Sequence, residues 1–140
     1  MPLTLILVRH ERRNALDRTF DSPLLPSGRA GAEKLAQVLD EALPVVHHCY
    51  TSPFRRCLET IAPFVQRRRA QGAPLLARVE HALYERIAAP TPEDEAQGLV
   101  PFRRDTYVRE VPSESPHRAW IDDAHASHLS PVAVGWDESV

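Results

Sequence analysis

The decisive stretch is L-T-L-I-L-V-R-H-E, residues 3–11. Its first six residues are apolar or β-branched without interruption, the pattern of a strand covered on both faces inside a parallel sheet. They predict a first strand over residues 3–8. The run is too short to span a bilayer, and it lacks the basic start and small-residue cleavage site of a secretory leader. Arg9 and His10 follow at once, which in an open α/β sheet puts them at the carboxyl edge, where ligands bind.

Outward from this strand the chain alternates. Ser27 is placed to cap a helix in which Ala32, Leu35, Ala36, Leu39 and Leu43 recur at the 3.6-residue period, an apolar stripe suited to packing on a sheet. L-P-V-V-H-H-C-Y, residues 43–50, reads as a second buried strand. It runs into Ser52 and Pro53, a cap followed by proline at the first helical position. In the helix that follows, Phe54, Cys57, Leu58, Ile61, Phe64 and Val65 form the apolar face. Arg67, Arg68 and Arg69 fall in its last turn before Gly72, where cations complement the helix dipole. Residues 75–80 read as a third strand and residues 90–116 as a loop placed to cover a site. A short helix over 115–128 and a brief apolar run at 132–136 complete the chain. Strand, helix, strand, helix, strand implies an α/β fold with three layers, a mainly parallel sheet carrying helices on both faces.

A chain of 140 residues makes one domain, 1–140, that buries about two-thirds of its unfolded surface. Hydrophobic residues at 43% and charged residues at 26% exclude a disordered or fibrous chain. A formal charge of -2 argues against a nucleic acid or an anionic membrane as partner, since both ask for a basic excess. Cys49, on a buried strand, and Cys57, on the apolar helix face, read as reduced thiols acting as small core residues, which fits a cytoplasmic setting. No metal is expected. His47 and His48 are neighbours on a strand and point to opposite faces, while His125 and His128 have no Cys or carboxylate cluster at ligand spacing.

The chemistry is concentrated in a few residues. Arg55 and Arg56 stand in the first turn of the second helix, where a cation opposes the helix dipole unless an anion lies between them. Arginine offers a planar fork of donors matched to phosphate, and histidine, titrating near neutrality, serves as nucleophile or acid/base. Taken singly these residues are ordinary, since histidines after strands and arginines in first turns are commonly just solvated. Together at one sheet edge they are the parts of a phosphate site.

L-V-R-H-E at 7–11 and S-P-F-R-R-C-L-E-T-I at 52–61 resemble the two hallmark segments of the histidine phosphatase, or phosphoglycerate mutase-like, superfamily. Between them D-S-P-L-L-P-S-G-R-A-G-A, opening at Asp21, is similar to the segment that opens the family's first helix. R-V-E-H-A-L-Y-E at 78–85 and Glu114-Ser115 resemble two later motifs. The resemblance implies a histidine phosphatase-like fold with a shortened C-terminal half. It implies His10 as the nucleophile that becomes phosphohistidine, Arg9 and Arg56 as the groups neutralising the phosphoryl oxygens, Glu85 as the acid that protonates the leaving oxygen, and Asn14 as a phosphate contact. No metal or other cofactor is implied. The partner is a phosphorylated small molecule or a phosphoprotein, with sugar phosphates, nucleotides and phosphopeptides all open.

Two departures from the family pattern bear on activity. The glycine after the histidine is missing: either Glu11 replaces it, or it is deleted and Glu11-Arg12-Arg13 matches a following E-R-x. A carboxylate pointing into that space would repel phosphate. The family's second histidine, after a late strand, also has no clear copy. Val132 to Trp136 fits that strand with Trp136 in the histidine's place, and His125 is the rival placement. Tryptophan carries no charge, so the expectation is phosphate binding with feeble hydrolysis. The alternatives are a catalytically degraded relative that binds a phospholigand or a protein, and an incomplete gene product with no function of its own.

Overall fold

A computed structural model of the chain describes residues 4–17, 21–80, 83, 111 and 113–122. Helix α1 (Pro26–Ala42) is followed by strand β1 (Cys49–Thr51), helix α2 (Arg55–Ala70), strand β2 (Ala77–Val79) and a 3-10 turn at Pro116–Trp120. The two strands are parallel, with Cys49 opposite Ala77 and Thr51 opposite Val79, and α2 is the crossover between them. Ile121 makes a parallel bridge to Ala77, and the Asp122 N–H donates to the Ala77 carbonyl at 2.8 Å. This is α/β architecture, as the sequence predicts. The third layer is not formed by the described residues: Cys49, Thr51 and Ala77 are buried, while Tyr50 is 46% exposed and the half-buried Arg78 reaches its hydroxyl.

The core lies where α2 meets α1, the strands and the 3-10 turn. Leu58, Ala62, Phe64 and Val65 of α2 pack with Ala36, Cys49, Ala77, Trp120 and Ile121. Burying a side chain the size of Val65 is worth roughly 1.5–3 kcal/mol, so this cluster is the main stabilising term. Burial pushes the Cys49 thiol up to about 11.

The predicted helices form, with shifted starts. α1 begins at Pro26, with Leu25 as its extended N-cap and no side-chain cap, so Ser27 lies inside the helix and does not cap it. α2 begins at Arg55. The Phe54 carbonyl accepts the first helical bonds, from Cys57 and Leu58, and Ser52 Oγ only touches the Phe54 amide at 3.5 Å. Phe54, with its ring buried, is the N-cap in place of Ser52, and Arg55 holds the first helical position expected of Pro53.

α2 ends as read. Gly72 has φ +86, its N–H bonds the Arg69 carbonyl at 2.9 Å, and the Ala73 N–H reaches the Arg68 carbonyl at 3.0 Å, a Schellman closure. Arg68 does more than complement its own helix. It pairs with Asp40 at 2.8 Å and donates to the carbonyls of Asp40, Leu43 and Pro44, so it also satisfies the C-terminal end of α1.

Three expectations are corrected. Residues 4–8 make no strand. Leu5, Ile6, Leu7 and Val8 are 74, 48, 83 and 40% exposed, an alternation that fits an extended chain with one face open. A strand needs a neighbour for its backbone groups, and no described residue pairs with this one. The second strand spans three residues rather than eight, because Pro44 donates no N–H and Val45 is 65% exposed. Of the helix read over 115–128, the described part is a 3-10 turn over Pro116–Trp120, since Ile121 bridges to Ala77, and residues 123–128 lie outside the described residues.

Gly28 sets how closely α1 approaches the segment after His10. A Cβ there would fall 2.2 Å from the Arg12 carbonyl oxygen, whereas at Gly31 the nearest atom would be the movable Glu11 carboxylate at 2.6 Å. Gly28→Ala is therefore expected to destabilise by about 1–3 kcal/mol in urea unfolding. Gly31→Ala stays near neutral, because about 1 kcal/mol of gained helix propensity offsets the displaced glutamate.

Candidate functional site

The His10 loop is docked on α2 through backbone and hydroxyl groups. The Glu11 N–H donates to Thr60 Oγ1 at 3.0 Å, and the same hydroxyl donates to the Arg56 carbonyl at 2.7 Å. His10 is half-buried, with Nδ1 2.8 Å from the Glu11 carbonyl oxygen. A carbonyl can only accept, so in this hydrogen bond Nδ1 carries the proton, and in the neutral ring the lone pair is then on Nε2. Arg56, 3% exposed, stacks its guanidinium 4.3 Å over the Phe54 ring in the first turn of α2. His10 and Arg56 are thus tied to neighbouring turns of one helix.

The other predicted site residues fall differently. Arg9 is exposed beside His10. Asn14 is also exposed, and its Oδ1 accepts from the Leu16 N–H at 3.0 Å, a local loop contact. Glu85 lies outside the described residues, as do His125, His128 and Trp136. The Glu11 carboxylate, the group that would repel phosphate if it entered the site, lies beside Gly31 of α1.

Two residues here were not singled out from the sequence. Thr60 was quoted within its motif without a role. Its spacing of four from Arg56 is the available signal, since residues i and i+4 share a helix face. Glu80, 6% exposed, follows β2 at the carboxyl edge and donates its N–H to the Thr51 carbonyl at 2.8 Å. Among the described residues no group of three or more His, Cys, Asp or Glu is arranged to hold a metal, and no helix is long and apolar enough to cross a membrane.

The sequence profile of the histidine phosphatase superfamily (branch 1) matches residues 5–117. The chain belongs to that superfamily. The match takes in Arg9, His10, Asn14, Arg56 and Glu85 and ends before His125 and Trp136. No curated protein matches the chain. Among solved structures it is similar to an ecdysone phosphate phosphatase from Bombix mori in complex with tungstate, at 24% identity and a TM-score of 0.39. The similarity covers 70% of this chain and 42% of that one, so the chain spans less than half of that protein's length.

A cavity of about 680 Å³ opens on another side of α2 in this superfamily member, lined by Arg29, Arg55, Leu58, Glu59, Glu114 and His117 among others. Neither His10 nor Arg56 lines it, so this cavity and those two residues are separate features. Glu59 organises its wall, accepting from Arg55 Nε at 2.7 Å and from the Leu24 N–H at 2.8 Å. His117 stands edge-on to Trp120, with centroids 5.3 Å apart. Burial holds its pKa below the ordinary value, with Glu59 pulling the other way and Arg55 adding to the shift.

The sign of this shift gives a pH dependence. Below about pH 6.5 the unfolded chain protonates this histidine before the folded chain does, so stability falls as pH drops through that region and is unaffected above it. Urea midpoints measured between about pH 7 and 5 are expected to fall more for the native protein than for His117→Phe, which keeps the ring contact with Trp120. Equal slopes in the two proteins would assign the dependence to other groups.

Proposed function

We propose that this chain is a metal-independent phosphatase acting on a phosphomonoester. His10 Nε2 attacks phosphorus, the ester oxygen leaves with a proton from Glu85, and water then hydrolyses the phosphohistidine to release inorganic phosphate. Arg9 and Arg56 neutralise the phosphoryl oxygens, with Asn14 as a further contact. The observation that carries this reading is the His10 Nδ1–H bond to the Glu11 carbonyl, made by a loop whose Glu11 N–H docks on Thr60, one helical turn from Arg56, because a neutral ring held this way carries its lone pair on Nε2. Membership of the superfamily supports it independently. The substrate is a phosphorylated small molecule or a phosphoprotein.

Binding and chemistry are tested separately. Inorganic phosphate or vanadate should raise the melting temperature by several degrees, since a ligand at a hundred times its Kd stabilises by about 2.7 kcal/mol. The double variant His10→Ala with Arg56→Ala should lose this shift. Acid quench with a labelled phosphodonor should trap phosphate on the native chain and not on His10→Ala. Absence of both the thermal shift and the trapped label from the native protein would overturn the proposal.

On our reading of residues 132–136 as the family's late strand, Trp136 takes the place of its second histidine and turnover should be slow. Losing one electrostatic donor of this kind costs on the order of a hundred- to a thousandfold. Trp136→His is therefore expected to raise kcat. Brisk turnover that depends on His125 and ignores position 136 would assign the missing role to His125 instead.

A further inference from the structure

Residues 10 and 11 are joined to α2 by a side-chain hydrogen bond through one buried hydroxyl, that of Thr60, which is 3% exposed. A threonine hydroxyl has one proton and two lone pairs, and both kinds of capacity are used here. The proton goes to the Arg56 carbonyl at 2.7 Å, four residues back along the helix, and a lone pair receives the Glu11 N–H at 3.0 Å. The back-bond fixes the side-chain rotamer, because the oxygen must point toward the N-terminal end of α2 to reach that carbonyl. A fixed oxygen in turn fixes Glu11, whose own carbonyl holds His10 Nδ1 at 2.8 Å. The chain of contacts therefore runs from the turn bearing Arg56, through Thr60 and Glu11, to the histidine ring.

We propose that Thr60 is a positioning residue that sets the His10 ring relative to Arg56, a role that rests on the phosphatase reading above. It acts on geometry and touches no substrate. Displacing a nucleophile by about 1 Å can cost on the order of a hundredfold in rate, and Arg56, one of the two arginines proposed to hold the anion, is carried by α2 itself and not by the displaced loop. The loss should thus fall on kcat and on the rate of phosphohistidine formation, with KM little changed.

Two substitutions separate this role from plain packing. Thr60→Val keeps the shape of the side chain and removes the hydroxyl, while Thr60→Ser keeps the hydroxyl and removes the methyl. The positioning role requires tenfold to a hundredfold slower phosphohistidine formation in Thr60→Val, on the order expected for a misplaced nucleophile. It also requires near-native rates in Thr60→Ser, with rates normalised to folded protein. Native rates in Thr60→Val, or equal losses in both variants, overturn it. A second measurement does not depend on turnover: the Glu11 amide should exchange its hydrogen faster in Thr60→Val and at the native rate in Thr60→Ser. Unchanged exchange in Thr60→Val removes the inference, whereas a native protein that binds no phosphate and traps no label removes the phosphatase reading and leaves the exchange result to decide the role of Thr60.

Discussion

The fold around the histidine depends on a close approach of backbone to backbone. The Arg12 carbonyl accepts the Leu25 N–H at 2.9 Å and lies where the side chain of residue 28 would be if there were one. That contact joins the loop after His10 to the start of α1, and the antiparallel bridge between Arg13 and Leu24 continues it. The Leu24 N–H is held in turn by Glu59, so the first turn of α1, the loop and α2 form one closed set of contacts. Most of these contacts are main-chain groups meeting partners on other elements, which leaves the loop little freedom to move independently of the helices.

Elements defined by local periodicity were legible in the sequence. The stripe of Ala32 and Ala36 and the face of Leu58 and Val65 are buried as the 3.6-residue period requires, and Gly72 ends α2 by the backbone conformation that glycine allows. The run of residues 3–8 was misread for an instructive reason. Its composition states that the segment is fit for pairing, whereas pairing depends on another stretch lying alongside, which periodicity does not encode. The same holds for residues 43–48, where apolar residues precede a strand that starts only at Cys49.

The candidate site divides along a similar line. Arg9, His10 and Arg56 stand out in the sequence by residue type, because charge and imidazole chemistry announce themselves before any contact is known. Thr60 and Glu80 did not announce themselves. A threonine inside a helix is ordinary until its hydroxyl is seen to meet both Arg56 and Glu11. A glutamate at a strand end is ordinary until it is found 6% exposed with its amide on Thr51. Such contacts join residues distant in sequence, and composition is blind to them.

The thiol on β1 gives the molecule an internal record of its own opening. Burial, which pushes its pKa up to about 11, keeps Cys49 a thiol at neutral pH and keeps the sulfur away from solvent. Alkylating reagents and oxidants therefore reach it only when the packing of β1 against α2 comes apart, so its modification scales with the population of that opened state. Cys57, half-buried on α2, stands closer to solvent and offers an internal comparison. The pair converts exchange of the core with water into a chemical signal that accumulates with time.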